Sequence, residues 1–142
     1  MEKQTSISLI IVDDHAMIRQ TWKMLLEKDP RIKVVAECAS GEEAITMAGA
    51  LLPDVMLMDI NMQPINGFEA TRAILQNNPQ IKVIGVSINN QPSYARNMME
   101  LGARGYVTKN SSREEMLFAI LEVYNGKEYI CKEIQQKMDN GR

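Results

Sequence analysis

The chain has 142 residues, 45% of them hydrophobic, and its 16 basic and 18 acidic side chains leave a net charge of -2. That length fits one domain with a real core. The near balance of charge and the single Trp exclude the basic stripe or base-stacking surface expected of a direct nucleic-acid binder.

In chain order, "ISLIIV" (residues 7–12) is nearly continuous and β-branched, the pattern of a strand buried on both faces. It ends at Asp13-Asp14. Residues 16–28 follow with Ile18, Trp22, Leu25 and Leu26 near helical spacing, and Asp29-Pro30 stops that helix. "KVVAEC" (33–38) predicts a second strand. Ser40 with Glu43 predicts a capped helix reaching about Leu52, punctuated by Pro53. Residues 55–58 form a third strand running into Asp59, and Asn66 with Glu69 caps a helix through Gln76. "KVIGVS" (82–87), a helix over 91–101, and "RGYV" (104–107) come next. Ser111 or Ser112, with Glu115, opens a last long helix to about Tyr124. Beyond Asn125-Gly126, the apolar residues Ile130, Ile134 and Met138 step by four, which suggests a short terminal helix or the start of a linker.

Strict β-α alternation implies an α/β fold with a parallel sheet and right-handed crossovers. No run approaches the length of a membrane span, and the polar start "MEKQTSIS" has no signal-peptide stretch. Cys38 and Cys131 form neither a disulfide framework nor a zinc spacing, so a reducing cytoplasm is the expected compartment.

Ligands of open α/β sheets bind at the carboxyl ends of the strands. Asp13, Asp14, Asp59, Ser87, Thr108 and Lys109 all fall there. Three carboxylates on one rim repel one another unless a cation intervenes. A hard divalent ion with oxygen ligands, Mg²⁺, is the natural choice. An aspartate beside such an ion can act as a nucleophile and form an aspartyl phosphate, with Lys109 and the Ser87 hydroxyl compensating charge.

These motifs resemble the response-regulator receiver domain of two-component signalling: "IIVDDH" (10–15), "VMLMDINM" (55–62) with Asn66-Gly67, Ser87, and "GARGYVTK" (102–109). The resemblance implies a flavodoxin-like, doubly wound (βα)5 sandwich with strand order 2-1-3-4-5. It makes Asp59 the phosphoacceptor, and Asp14, Asp59 and the Asn61 carbonyl the Mg²⁺ ligands, with Asp13 acting through a bound water. Lys109 would contact the phosphoryl group, Ser87 would turn toward it, and Tyr106 would be the switch aromatic that follows. The implied donor is a phosphohistidine on a sensor histidine kinase, and homodimerisation is a further expectation. The segments "DDHAMIRQ" and "GARGYVTKNSSREEM" are similar to the subfamily with a C-terminal helix-turn-helix output domain, through which alone DNA would be contacted to control transcription. On that reading residues 1–125 are the receiver, and 126–142 are a tail or the start of a linker.

The sequence departs from the family pattern at Gln63, where proline is usual, and at Asn110, where proline often follows the lysine. Other residues have plainer readings. His15, the only histidine, reads as a surface helix cap, Tyr106 as a half-buried core residue, and Met98, Met99 and Leu101 as candidates to face a partner. An aspartyl phosphatase would need a second acid two residues past its nucleophile, where Asn61 stands.

Overall fold

The structure, a computed structural model, describes residues 6–140. Its strands are β1 (Ile7–Val12), β2 (Ile32–Cys38), β3 (Val55–Asp59), β4 (Lys82–Ser87), β5 (Gly105–Thr108) and β6 (Tyr129–Ile130). The helices are α1 (Ala16–Leu26), α2 (Gly41–Leu51), α3 (Gly67–Asn77), α4 (Pro92–Glu100), α5 (Arg113–Tyr124) and α6 (Lys132–Asn140). The sheet order is β2-β1-β3-β4-β5-β6, and every pair is parallel. This is the expected doubly wound order with a sixth strand added at one edge.

The central strands are apolar along their length because helices cover both faces of a parallel sheet. Leu9, Ile10, Val55, Met56, Met58, Val83 and Ile84 are fully buried. Helix α1 packs on α5, α2 on α3, and α4 on α6. Met98, read from sequence as a possible partner contact, instead lies fully inside the core. It stands over Gly85, where a Cβ would come within 3.1 Å of its methyl and 3.0 Å of the Tyr106 ring.

At the amino-terminal ends of the strands, β1 is clasped to the start of β3. Asp54 Oδ2 accepts from the Ser8 amide at 2.9 Å and from its hydroxyl at 3.1 Å. In return the Asp54 amide donates to Ser8 Oγ at 2.8 Å.

Three capping boxes were expected, and one is complete. Asn66 accepts from the Glu69 amide while Glu69 accepts from the Asn66 amide. Ser40 caps α2 through the Glu43 amide, but Glu43 reaches back to the Ala39 amide instead. Ser112, not Ser111, caps α5, and the Glu115 carboxylate is engaged elsewhere. It accepts from the Tyr129 hydroxyl at 2.7 Å and from the Lys132 amide at 2.9 Å. Those contacts hold the C-terminal segment against the domain, where β6 lies beside β5 and Ile134 of α6 is fully buried. The terminal helix expected from the Ile130, Ile134 and Met138 spacing is present as α6. The Gln63–Pro64 bond is cis, and no other cis bond occurs among the described residues.

Candidate functional site

The pairing of strands brings the chemistry-bearing residues to one rim. Val12 stands opposite Met58, and Asp59 opposite Val86. Ser87 stands opposite Thr108, and the Lys109 amide donates to the Ser87 carbonyl at 2.9 Å. Residues 13, 59, 87 and 109, far apart in sequence, are thereby neighbours at the carboxyl edge.

Asp59 is 1% exposed and Asp13 4%. Lys109 Nζ lies 2.8 Å from Asp13 Oδ2 and 3.4 Å from Asp59 Oδ1. The Asn61 amide also donates to Asp59 Oδ1, at 3.2 Å. Asp59 Oδ2 is buried with no hydrogen-bond partner. An unpaired buried carboxylate oxygen is costly. Burial, first, and the Asp13 charge, second, raise the proton affinity of Asp59, against the pull of Lys109. Burial alone would weaken proton binding by Lys109, but its hydrogen bond to Asp13 and the charges of Asp59 and Asp13 outweigh that and raise its pKa.

Asp14 is exposed at the mouth. His15 holds the N-cap position of α1, as expected, but its side chain makes no capping bond. Its ring turns to the acids, with Nδ1 2.9 Å from Asp14 Oδ1 and 3.2 Å from Asp13 Oδ1. One ligand atom from each of Asp13, Asp14, His15 and Asp59 can be chosen so that all lie within 4.8 Å of one another, a cluster that could hold a metal ion. The donors are mainly carboxylate oxygens and the innermost oxygen lacks a partner, so the site fits a hard divalent cation.

A hydrogen-bonded chain leads away from the acids. Ser87 Oγ donates to Asn61 Oδ1 at 2.8 Å and accepts from the Asn89 amide at 2.9 Å. The Tyr106 hydroxyl donates to the Asn89 carbonyl at 2.9 Å. Tyr106 is fully buried, not half-buried, and burial pushes its pKa up to about 12.

Sequence reasoning missed three neighbours. Arg19 donates to the Asp13 carbonyl at 2.6 Å, fixing the β1–α1 turn from one helical turn away. Trp22 lines a small cavity with Val12, Asp13 and Leu57. Glu133 of α6 accepts from Asn90 and Thr108. Arg19 and Trp22 share one face of α1 at a three-residue step, a usable signal; Glu133 had none.

Fold and site together define a doubly wound α/β domain with an acidic, metal-competent rim at the carboxyl ends of its strands, and comparison with known proteins gives it a family. Residues 9–121 match the response regulator receiver domain, and the chain belongs to that family, as a receiver domain of two-component signalling. It is 38% identical over 132 residues to the response regulator GacA of Pseudomonas aeruginosa, spanning 93% of this chain and 62% of that protein. It is 36% identical over 135 residues to the transcriptional regulatory protein DegU of Brevibacillus brevis, spanning 95% and 57%. The chain thus spans about three fifths of the length of these relatives. A crystal structure of a LuxR-family two-component response regulator from Aurantimonas sp. SI85-9A1 superposes with a TM-score of 0.93 at 31% identity, over 97% of this chain and 99% of that one. No helix among the described residues is long and apolar enough to cross a membrane.

Proposed function

We propose that Asp59 accepts a phosphoryl group from a phosphohistidine of a sensor kinase. The observation that carries this reading is the buried, unpartnered Asp59 Oδ2 beside an ammonium shared between Asp13 and Asp59. That oxygen attacks phosphorus, the phosphorus–nitrogen bond breaks, and the electron pair leaves on the imidazole. Water later attacks the acyl phosphate and restores the carboxylate, a step this domain assists on itself. Asp14, Asp59 and the Asn61 carbonyl would hold Mg²⁺, with Asp13 acting through a water. When bound, the ion neutralises charge on the phosphoryl oxygens.

Lys109 pairs with a second phosphoryl oxygen as its ammonium shifts from Asp13 toward Asp59. The Ser87 hydroxyl exchanges its bond to Asn61 for one to a third oxygen. Because Ser87 and Tyr106 share Asn89 as a partner, that exchange reaches the α4–β5 face. Asn61 has no proton to give a leaving group, so multiple turnover of phosphomonoesters is not expected.

The switch would control an output domain, with DNA contacted only through a C-terminal helix-turn-helix and the phosphorylated form pairing with a second copy. Residues 1–125 are then the receiver and 126–142 lead toward the output domain, in the cytoplasm.

Incubation with acetyl phosphate and Mg²⁺, followed by intact-mass spectrometry, tests the central claim. Wild type gains one phosphoryl group and Asp59→Asn gains none. Equal labelling of the two proteins would remove Asp59 from its role.

A further inference from the structure

The carboxylate of Glu133 joins a loop and a strand end that border the site. Its Oε2 accepts from Asn90 Nδ2 at 2.7 Å, and its Oε1 from Thr108 Oγ1 at 2.9 Å. Those two bonds hold its pKa below the usual carboxylate value, Asn90 contributing most. Asn90 lies three residues past Ser87, on the loop whose Asn89 bonds both Ser87 and Tyr106. Thr108 directly precedes Lys109. One side chain of α6 therefore spans the loop that follows the Ser87 hydroxyl and the strand end that leads into the Lys109 ammonium.

The segment bearing Glu133 is docked at independent points. The Tyr129 amide donates to the Arg104 carbonyl, and the Cys131 amide to the Tyr106 carbonyl, each at 3.0 Å. Glu115 holds Tyr129 and Lys132, and Ile134 and Cys131 are fully buried. Glu133 is thus presented by a fixed helix, and its two bonds set the spacing between the loop after β4 and the carboxyl end of β5.

We propose that Glu133 is a positioning residue that holds the loop after β4 and the end of β5 in the arrangement seen here, so that docking of α6 and phosphoryl occupancy of Asp59 oppose each other. This rests on the phosphoacceptor reading above. In the present arrangement the Ser87 hydroxyl is committed to Asn61, and Lys109 lies closer to Asp13 than to Asp59. Phosphoryl binding asks both groups to move inward. Asn90 and Thr108 are tied to one carboxylate, so the loop after β4 cannot shift relative to the end of β5 without losing one of its bonds. Coupling of this kind is reciprocal: what loosens Glu133 tightens the phosphoryl site, and a loaded site loosens α6.

The test uses the full chain and beryllofluoride with Mg²⁺ as the phosphoryl probe. Affinity is read by calorimetry, and docking of α6 by amide hydrogen exchange. Glu133→Ala should bind beryllofluoride at least about fivefold more tightly, the lower end of ordinary coupling. Asn90→Ala, which removes the donor from the loop side, should tighten binding in the same direction. Glu133→Gln keeps an acceptor for Asn90 and gains a donor for Thr108, so it should stay near wild type. Loading the wild type should speed exchange across residues 132–140. Affinities of both alanine variants within twofold of wild type, or exchange at α6 unmoved by loading, overturn the proposal. A wild type that takes up no beryllofluoride overturns the phosphoacceptor reading, and this proposal falls with it, a result distinct from normal uptake without coupling.

Discussion

Gly67 follows the Asn66 cap and opens α3 directly beneath the end of β3, and replacing it with alanine gives a sharp test of the site's construction. A Cβ there would overlap the Asp59 carbonyl oxygen and sit 2.7 Å from Ile60 Cα and 3.0 Å from the Asp59 carbonyl carbon. Carbon atoms in contact prefer about 3.5–4.0 Å, so the deficit is close to 1 Å, and the atoms in the way are backbone. Those atoms belong to a residue pair whose neighbouring bonds, Ile60 amide to Val86 carbonyl at 3.1 Å and Gly67 amide to Ile60 carbonyl at 2.9 Å, must distort to yield. Overpacking costs about 1–3 kcal/mol, and a main-chain clash belongs at the upper end. With a urea slope of roughly 2 kcal/mol/M, Gly67→Ala should lower the unfolding midpoint by about 1.5 M. Gly49→Ala is the control. Gly49 is exposed in α2 with nothing within 4 Å of its would-be Cβ, so alanine should raise stability by about 0.5–1 kcal/mol. Asp59 labelling by acetyl phosphate should slow in Gly67→Ala and stay unchanged in Gly49→Ala. A Gly67→Ala protein that unfolds at the wild-type midpoint and labels at the wild-type rate would refute the close-approach argument.

Thr71 is fully buried and its hydroxyl has no partner; Thr71→Val, nearly the same shape, should raise stability by about 1 kcal/mol in urea titration. Ser40→Ala should cost about 1 kcal/mol by the same assay, through loss of the bond from the Glu43 amide. Asp59 binds its proton more tightly in the fold than in the unfolded chain, where a carboxylate titrates near about 3.9. Wild-type stability should therefore fall as pH rises from that value through the elevated native one, and Asp59→Asn should remove this slope and be the more stable protein at neutral pH. Urea midpoints of the two proteins taken across that range would check the sign. Over the same range, acid should weaken Mg²⁺ binding, read as the change in Trp22 fluorescence, because proton and ion compete for one carboxylate.

The sheet was legible because its central strands must be apolar on both faces, and runs such as "ISLIIV" have no other stable home. The acidic rim was legible because polar residues that end such strands fall on one edge whatever the loops do. Contacts between distant segments were not legible. The Ser112–Glu115 spacing looked like a reciprocal cap, yet Tyr129 and Lys132 compete for the Glu115 carboxylate from 14 and 17 residues away. Strand β6 has two half-buried residues, too few to carry a period. The His15 ring was assigned to its own helix, although the carboxylates just before it in the chain, Asp13 and Asp14, draw it instead.

The Ser8–Asp54 clasp sits at the opposite end of the strands from the acids, yet it acts as their gauge. With Leu9 against Val55 and Val12 against Met58, the next rung sets Asp13 level with Asp59. A slip of one position would turn every side chain of the slipped strand to the other face of the sheet, and the two acids would point into opposite layers. A serine and an aspartate that touch neither ion nor phosphate thus calibrate, from the far end of the strands, whether the reacting groups ever meet.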